Sequence, residues 1–239
     1  MADRTKKWHV VLVYGFVLTF FIGTAIIGSK AVTAMKDTQP IQGRLTLIID
    51  PGHGGIDGGA TSVSGVLESN INLDIAVRLR DLCNLLGFKT SMTRITDRSM
   101  HTVGDTIAAQ KVSDLKNRVT QINNTKDAFL VSIHQNYFQD SIYKGAQVFF
   151  GSEKYSEELA NKLQSEIIRT LNKCSERRVK KAKGIYLMQH ITCPGVLVEC
   201  GFISNPEEDE LLQNESYQKK LCCVIASVFS SFWGNKPQT

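Results

Sequence analysis

Apolar runs of strand length alternate along this chain with segments whose apolar residues recur at helical spacing. Residues 45–49, 88–94 and 128–133 are the runs, and residues 70–86 and 112–123 carry the helical spacing between them. Neighbouring parallel strands need a long crossover connection, which a helix supplies. The order strand, helix, strand, helix, strand therefore predicts a largely parallel sheet.

The second half of the chain repeats this alternation. We predict strands at 146–150 and 196–199, an amphipathic helix at 155–172, a strand or short extended run at 184–188, and one final helix at 206–232. The predicted fold class is α/β: a single domain with a mostly parallel, mixed and twisted sheet, flanked by helices on both faces. This domain stands behind an N-terminal membrane segment.

The membrane segment is predicted at residues 8–28, which carry no charged side chain apart from His9. A span of roughly 20 apolar residues is long enough to cross a bilayer. Three basic residues precede it, Arg4, Lys6 and Lys7. The positive-inside rule then places the N-terminus in the cytoplasm and the rest of the chain outside it.

A cleaved signal peptide is the alternative for the same segment, because small residues at 32–34 suit a signal peptidase. The apolar core is long for a signal peptide, which favours an uncleaved anchor. The chain is therefore divided into a cytoplasmic tail and anchor or signal segment at 1–28, a linker at 29–43, and a folded domain at 44–239.

The distribution of charge argues against a nucleic-acid partner. The net charge is +5, but residues 1–44 hold six basic and two acidic residues, which leaves 22 basic and 21 acidic residues in the folded domain. A nucleic-acid-binding domain concentrates its basic surplus on its folded surface. One local basic cluster is interpreted as a solvated connection that can also help to hold an anionic polymer: Arg177, Arg178, Lys180, Lys181 and Lys183.

Six cysteines lie in the domain predicted to be extracytoplasmic, where disulfides persist. Their spacing contains no Cys-x-x-Cys pair and no recognisable framework. Cys83, Cys222 and Cys223 fall within apolar helical patterns, where a free thiol acts as a small hydrophobic residue. We therefore expect few or no structural disulfides.

Polar residues capable of chemistry follow several predicted strands. His53 stands in the glycine-rich segment Asp50-Pro-Gly-His-Gly-Gly after the first strand, His134 follows the third, and Glu199 ends the strand at 196–199. The carboxyl ends of parallel strands share one crevice. Glu68 stands at the mouth of the helix near residue 70, on the same side of the sheet. Two imidazoles and one carboxylate with an open fourth position are typical of a catalytic zinc site, which leaves Glu199 as a base.

Each of these residues also has a structural interpretation. Glu68 can simply complement a helix N-terminus, and His134 can be a hydrogen-bonded histidine at a strand end. Glu199 is harder to explain in this way, because apolar neighbours make a buried charge costly and raise its pKa. Neither a Gly-x-Ser-x-Gly elbow nor a phosphate-binding loop motif is present. A Cys200 nucleophile acting with His134 is a further alternative.

Four blocks of sequence, in order, resemble the zinc-dependent N-acetylmuramoyl-L-alanine amidases of the family 3 type. They are Asp50-Pro-Gly-His-Gly-Gly, Glu68 with Asn72-Leu73 following, Ser132-Ile-His134-Gln-Asn136, and Val198-Glu199-Cys-Gly-Phe-Ile-Ser-Asn205-Pro206. The resemblance implies one Zn²⁺ ion held by His53, Glu68 and His134, with Glu199 as the catalytic acid and base. The implied reaction is hydrolysis of the amide bond between N-acetylmuramic acid and L-alanine in peptidoglycan, and residues 44–239 are then the catalytic amidase domain.

Within that family, a short chain with an N-terminal membrane segment and no wall-binding repeats is similar to the germination-specific amidases of spore-forming bacteria. This likeness implies a role in spore cortex peptidoglycan and a location outside the cytoplasm, in the space around the forespore. Because an exposed hydrolase of the cell's own wall is dangerous, we also expect an accessory activator protein, which the sequence does not identify. Cys200, directly after Glu199, is a departure at a position where the resemblance sets no expectation for a thiol, and it leaves the set of metal ligands intact. Two other functions stay open at this point: a peptidoglycan-binding module without activity, and a cysteine peptidase that acts on stem peptides.

Overall fold

The computed structural model describes residues 45–234, which fold around one sheet of six strands. The strands are β1 (Thr46–Pro51), β2 (Lys89–Met92), β3 (Ala128–Asn136), β4 (Gln147–Phe150), β5 (Lys180–Lys181) and β6 (Gly195–Phe202). Their order across the sheet is β2-β1-β3-β6-β4-β5. All neighbours are parallel except β4 and β6, which are antiparallel. The prediction of a mostly parallel, mixed sheet is confirmed.

Six helices cover the two faces of this sheet. They are α1 (Glu68–Leu85), α2 (Ile107–Asn123), α3 (Ser156–Thr170), α4 (Tyr186–His190), α5 (Pro206–Gln213) and α6 (Glu215–Gly234). Apolar residues of α1, α3, α5 and α6 pack into one core cluster against one face of the sheet. Residues of α2 and α4 pack into a second cluster against the other face.

The continuous apolar runs of the central strands follow from this layering. In β1, Leu47 and Ile49 belong to the first core cluster, whereas Ile48 belongs to the second. Successive side chains of a strand point to opposite faces, so a strand covered on both faces needs apolar residues at every position. The expectation of helices on both faces is confirmed by the two clusters.

The prediction of an extended segment at 184–188 is wrong. Gly184 adopts a left-handed conformation with φ of 76°, and the chain then enters the short helix α4. Leu187 and Met188 of this helix, and Ile191 directly after it, pack into the second core cluster. A run this short cannot be assigned to strand or helix by periodicity alone.

On the side away from β6, β4 pairs with β5, which lies within the basic cluster. Lys180 and Lys181 are both exposed, and β5 forms one edge of the sheet. Lysines on an edge strand discourage further pairing with other chains. The basic cluster is therefore partly a strand, where the sequence indicated only a connection.

The prediction of one final helix at 206–232 is also wrong, because the helix is interrupted at Asn214. This residue has extended dihedral angles, φ of −77° and ψ of 122°. Its side-chain oxygen accepts a hydrogen bond from the backbone N–H of Tyr217, 3.1 Å away. Asn214 thus ends α5 and caps the start of α6, a role that asparagine commonly takes.

The predicted membrane segment at 8–28 and the linker at 29–43 lie outside the described residues. Within residues 45–234, no helix has the length and apolar character needed to cross a bilayer. All six cysteines lie in the described part of the chain, and each of them is a free thiol there.

Candidate metal centre and active site

Three of the predicted site residues lie together where β1 and β3 end and α1 begins. His53 follows β1, His134 lies near the end of β3, and Glu68 is the first residue of α1. One ligand atom from each of them lies within 4.8 Å of the other two. Glu68 Oε1 is 3.3 Å from His53 Nε2 and 3.1 Å from His134 Nδ1. Two imidazole nitrogens and a carboxylate oxygen are donors that zinc prefers.

Two glycines make this close approach possible. A Cβ atom at Gly52 would overlap the imidazole ring of His134. At Gly59, a Cβ atom would press on the Glu68 carboxylate and on the ring of His53. The two imidazole rings meet edge to face, with their centroids 5.0 Å apart. The residues present therefore fit a metal ion held by the three side chains.

His53 is held on its other side by a carboxylate. Its Nδ1 lies 2.9 Å from Asp57 Oδ2, and Lys111 Nζ lies 2.7 Å from the second oxygen of Asp57. Burial favours the neutral imidazole, but the bonds to Asp57 and Glu68 outweigh it and raise the pKa of His53 to about 9. A carboxylate on the second nitrogen of a metal-binding histidine fixes its tautomer and orientation.

The loop that carries His53 is strained and tightly clamped. His53 has a φ of 60°, a left-handed conformation that is uncommon outside glycine. Arg94 donates hydrogen bonds to the carbonyls of Pro51 and Gly52, at 3.0 and 2.8 Å. Arg118 donates to the carbonyls of Pro51 and His53, at 2.9 and 2.6 Å. These two buried guanidinium groups fix the backbone that presents the imidazole.

Asp50 anchors the same region from inside the sheet. It is 1% exposed and accepts hydrogen bonds from Thr93, Ser132 and Arg118, at 2.6, 2.7 and 2.7 Å. Burial alone would raise its pKa, but the Arg118 charge and the three hydrogen bonds hold the pKa of Asp50 at about 2. Asp50 is therefore a charged structural anchor for the loop.

Glu68 is oriented by its own set of donors. The backbone N–H of Gln135 donates to Oε1 and that of Ala60 donates to Oε2, both at 3.1 Å. The Asn72 amide donates to Oε1 as well, at 3.3 Å, and its own oxygen accepts from the side chain of Gln135. Burial opposes ionisation, but the hydrogen bonds and charges of the two histidines hold the pKa of Glu68 well below its usual range.

Glu199 lies beside the three-residue group. It is directly opposite His134 in the β3 and β6 register, so both side chains stand on one face of the sheet. Glu199 Oε2 is buried and has no hydrogen-bond partner among the described residues. Burial is the main cause that raises the pKa of Glu199 to about 7, with Glu68 adding to the rise and His134 opposing it. A carboxyl group with such a pKa can exchange a proton near neutral pH.

Cys200 points away from this site. It is fully buried in the first core cluster, on the opposite face of the sheet from Glu199. Burial raises the pKa of its thiol well above the ordinary value. Only a thiolate is a strong nucleophile, so this position does not suit a cysteine peptidase.

The sequence indicated His53, Glu68, His134 and Glu199, and the structure brings all four together. The sequence did not identify the residues that support these four side chains, chiefly Asp57, Arg94 and Arg118. Asp57 stands four residues after His53, but only the left-handed turn brings its carboxylate back to the imidazole. The two arginines come from distant segments and gave no local signal.

Comparison with known proteins agrees with this geometry. A model of the family described as N-acetylmuramoyl-L-alanine amidase matches residues 47–228. The germination-specific N-acetylmuramoyl-L-alanine amidase of Bacillus subtilis is 38% identical over 188 residues, which cover 78% of each chain. The predicted resemblance to the family 3 amidases and their germination-specific members is confirmed by these matches.

Two solved structures are similar to the fold. The CwlD amidase from Clostridioides difficile, in complex with the GerS lipoprotein, superposes with a TM-score of 0.76 at 38% identity, covering 80% of this chain and 99% of the other. An N-acetylmuramoyl-L-alanine amidase from Clostridium difficile 630 gives a TM-score of 0.69 at 28% identity, covering 80% and 98%. With the family match over most of the folded region, these likenesses show that the chain belongs to the N-acetylmuramoyl-L-alanine amidase family.

Proposed function

We propose that this amidase is a zinc enzyme in which His53, Glu68 and His134 hold one Zn²⁺ ion and Glu199 is the catalytic acid and base. The bond cleaved is the amide between N-acetylmuramic acid and L-alanine of peptidoglycan. The observation that carries the proposal is the unpartnered, buried Oε2 of Glu199 next to a group of two imidazoles and a carboxylate.

The chemistry divides between the ion and the chain. Zinc, when bound, would supply a Lewis acid that polarises the amide and brings the pKa of water down to about 7. Glu199 removes the proton from the attacking water and delivers it to the departing amine of L-alanine. In the metal-free chain, burial raises the pKa of Glu199 to about 7, in the range suited to both transfers at neutral pH. Asp57 holds the imidazole of His53 in place throughout.

The experiment uses the full chain on purified peptidoglycan, with and without a chelator, and identifies the released ends by mass spectrometry. Free L-alanine amino termini on intact glycan chains, lost with the chelator and restored by zinc, are the expected result. A binding module without activity would release nothing. A cysteine peptidase would be blocked by thiol alkylation, would resist the chelator, and would cut within the stem peptide.

We further propose that the substrate is spore cortex peptidoglycan and that the product is needed for germination. The likeness to the germination-specific amidase of Bacillus subtilis supports this role. Deletion of the gene from a spore-forming host should leave cortex that lacks the cleaved muramic acid residues, and the wild-type gene should restore them. A Glu199→Gln copy is the matched control and should fail to restore them.

For the location we propose a chain held outside the cytoplasm by an anchor at 8–28, or released after cleavage of a signal peptide. Residues 29–43 then link this segment to the catalytic domain at 44–239. Mass spectrometry of the N-terminus of the mature protein distinguishes the two forms. A partner protein is also proposed, because the similar CwlD amidase was solved in complex with a lipoprotein. Comparing the activity of the purified chain with and without a membrane extract of sporulating cells tests for such an activator.

A further inference from the structure

Arg177 is held beside the site by contacts that fix its guanidinium group. Its Nε donates to the carbonyl of Lys144 at 2.8 Å, and its Nη1 donates to Gln147 Oε1 at 3.3 Å. The guanidinium carbon lies 4.6 Å from the centre of the Phe202 ring. A half-buried arginine that is already fixed on an aromatic face loses little further conformational freedom when it binds an anion.

The register of the sheet connects Arg177 to the catalytic carboxylate. Glu199 lies directly opposite His134 on one side and Gln147 on the other, so the three side chains form a row on one face of the sheet. The Gln147 amide donates to the carbonyl of Arg178 and accepts from Arg177. Neighbouring strands lie about 4.8 Å apart. The row therefore begins at His134 of the metal-binding group, passes Glu199 and ends at Gln147, which contacts Arg177.

A bulge in β6 places Phe202 on that face as well. Between the pairs His134 with Glu199 and Asn136 with Phe202, two residues advance along β3 while three advance along β6. Residues 134 and 136 share one face of β3, so their partners share it too. Phe202 thereby supports Arg177 on the side of the sheet where Glu199 stands.

The guanidinium group of Arg177 keeps one edge open within the described chain. It forms no salt bridge there, and its Nη2 has no protein acceptor among residues 45–234. The carboxylate that acts on it electrostatically, Glu208, accepts hydrogen bonds from the backbone N–H groups of Gly145 and Phe202, at 2.9 and 2.7 Å. A fixed guanidinium with an open edge is suited to a planar carboxylate from another molecule.

We infer that Arg177 binds a carboxylate of the stem peptide and thereby positions the substrate for Glu199. This inference rests on the proposed function, since it assigns a binding residue to that same site. A stem peptide carries free carboxylates close to the amide that is cleaved, whereas the glycan backbone offers mainly hydroxyl and amide groups. Two exposed aromatic side chains, Phe138 and Tyr143, extend the aromatic surface beyond Phe202.

The test compares two preparations of the same peptidoglycan with the zinc-loaded full chain. In one preparation the free carboxylates are converted to carboxamides with carbodiimide and ammonia. The wild type should show a KM raised about 10- to 100-fold on the amidated polymer, the loss expected for charge-assisted hydrogen bonds, with a smaller change in kcat. Arg177→Gln should have this raised KM on both preparations and should not distinguish them.

Arg178→Gln is the matched control, because this neighbour is exposed and offers only its backbone carbonyl to Gln147. It should keep the wild-type preference. Arg177→Lys should retain part of the preference, since it keeps the charge but loses the planar pair of donors. Equal KM values of the wild type on the two preparations, or an unchanged preference in Arg177→Gln, would overturn the inference. Failure of the wild type to release L-alanine termini from either preparation would instead contradict the proposed function.

Discussion

The ends of β1 and β6, which lie on the two sides of β3, use a carboxylate in opposite ways. Asp50 on β1 is paired with Arg118 and hydrogen-bonded to Thr93 and Ser132, and its pKa is held at about 2. Glu199 on β6 keeps a buried oxygen without a partner, and burial raises its pKa to about 7. The same functional group is a fixed anion on one side of β3 and, in the proposed mechanism, a proton carrier on the other.

The difference lies in what surrounds each carboxylate, since Asp50 is the more deeply buried of the two and yet has the lower pKa. A buried charge is tolerated when an arginine and several donors compensate for its lost hydration. Asp50 has them, and it fixes the loop that carries His53. Without them, a carboxyl group gains a proton affinity suited to acid and base catalysis. The β1 end is thus built for rigidity, and the β6 end retains a reactive group at some cost in stability.

Removing the proposed proton carrier, Glu199, should have the largest effect on activity. Glu199→Gln keeps the shape of the side chain but cannot accept a proton, so kcat should fall about 10²- to 10⁴-fold, the usual contribution of general acid and base catalysis. Zinc content, measured by metal analysis of the purified variant, should stay at the wild-type level. A variant with wild-type kcat would exclude the proposed role of Glu199.

Removing the cation on the β1 side should mainly cost stability. Arg118→Ala leaves Asp50 and several backbone carbonyls buried without their partner, which should lower the free energy of unfolding by about 3–5 kcal/mol. Urea denaturation measures this change. Arg169→Ala breaks an exposed pair with Glu166 and is the control, with an expected change within about 0.5 kcal/mol. Equal losses in the two variants would contradict the view that the β1 end is a rigid anchor.

A smaller effect is expected from the carboxylate behind His53. Asp57→Asn removes the charge on Nδ1 without changing shape, and loss of such a partner typically weakens metal binding about 10- to 100-fold. Zinc titration against a competing chelator measures the affinity directly. Asp81→Asn, on the exposed surface of α1, is the control and should bind zinc like the wild type. The role given to Asp57 is wrong if both variants bind zinc equally well.

The smallest expected effect is a dependence of stability on pH, which would test whether Glu199, unlike Asp50, has a raised pKa. In the folded, metal-free protein the pKa of Glu199 is raised from 4.5 to about 7, so between these values the folded state binds the proton that the unfolded state has lost. The free energy of unfolding contributed by this group therefore falls as pH rises through that window. Glu199→Gln has no carboxyl group at this position and does not lose this stability. Urea denaturation at pH 5 and pH 8 should therefore show that its free energy of unfolding, relative to that of the wild type, is higher at pH 8 than at pH 5. A constant difference between the two proteins would contradict the raised pKa.

Much of the site was predictable because its residues stand at the ends of recognisable strands. The run before Asp50-Pro-Gly-His-Gly-Gly and the run before His134 were identified from their apolar character, and parallel strands deliver such ends to one edge. Glu68 and Glu199 followed from the same reasoning and from the family resemblance. The short helix α4 was missed because five residues carry too little periodicity, and β5 was missed because exposed lysines carry no apolar pattern.

By itself, the sequence determined the layered α/β architecture and the four candidate residues of the site, because strand length, helical spacing and motif order are local properties of the chain. Only the tertiary structure decided how those residues differ in chemistry. Arg118 reaches Asp50 across 68 positions of sequence, and the bulge in β6 places Phe202, whose ring Arg177 contacts, on the face of Glu199. A pKa depends on the charges and donors within a few ångströms, and folding brings those together from distant segments.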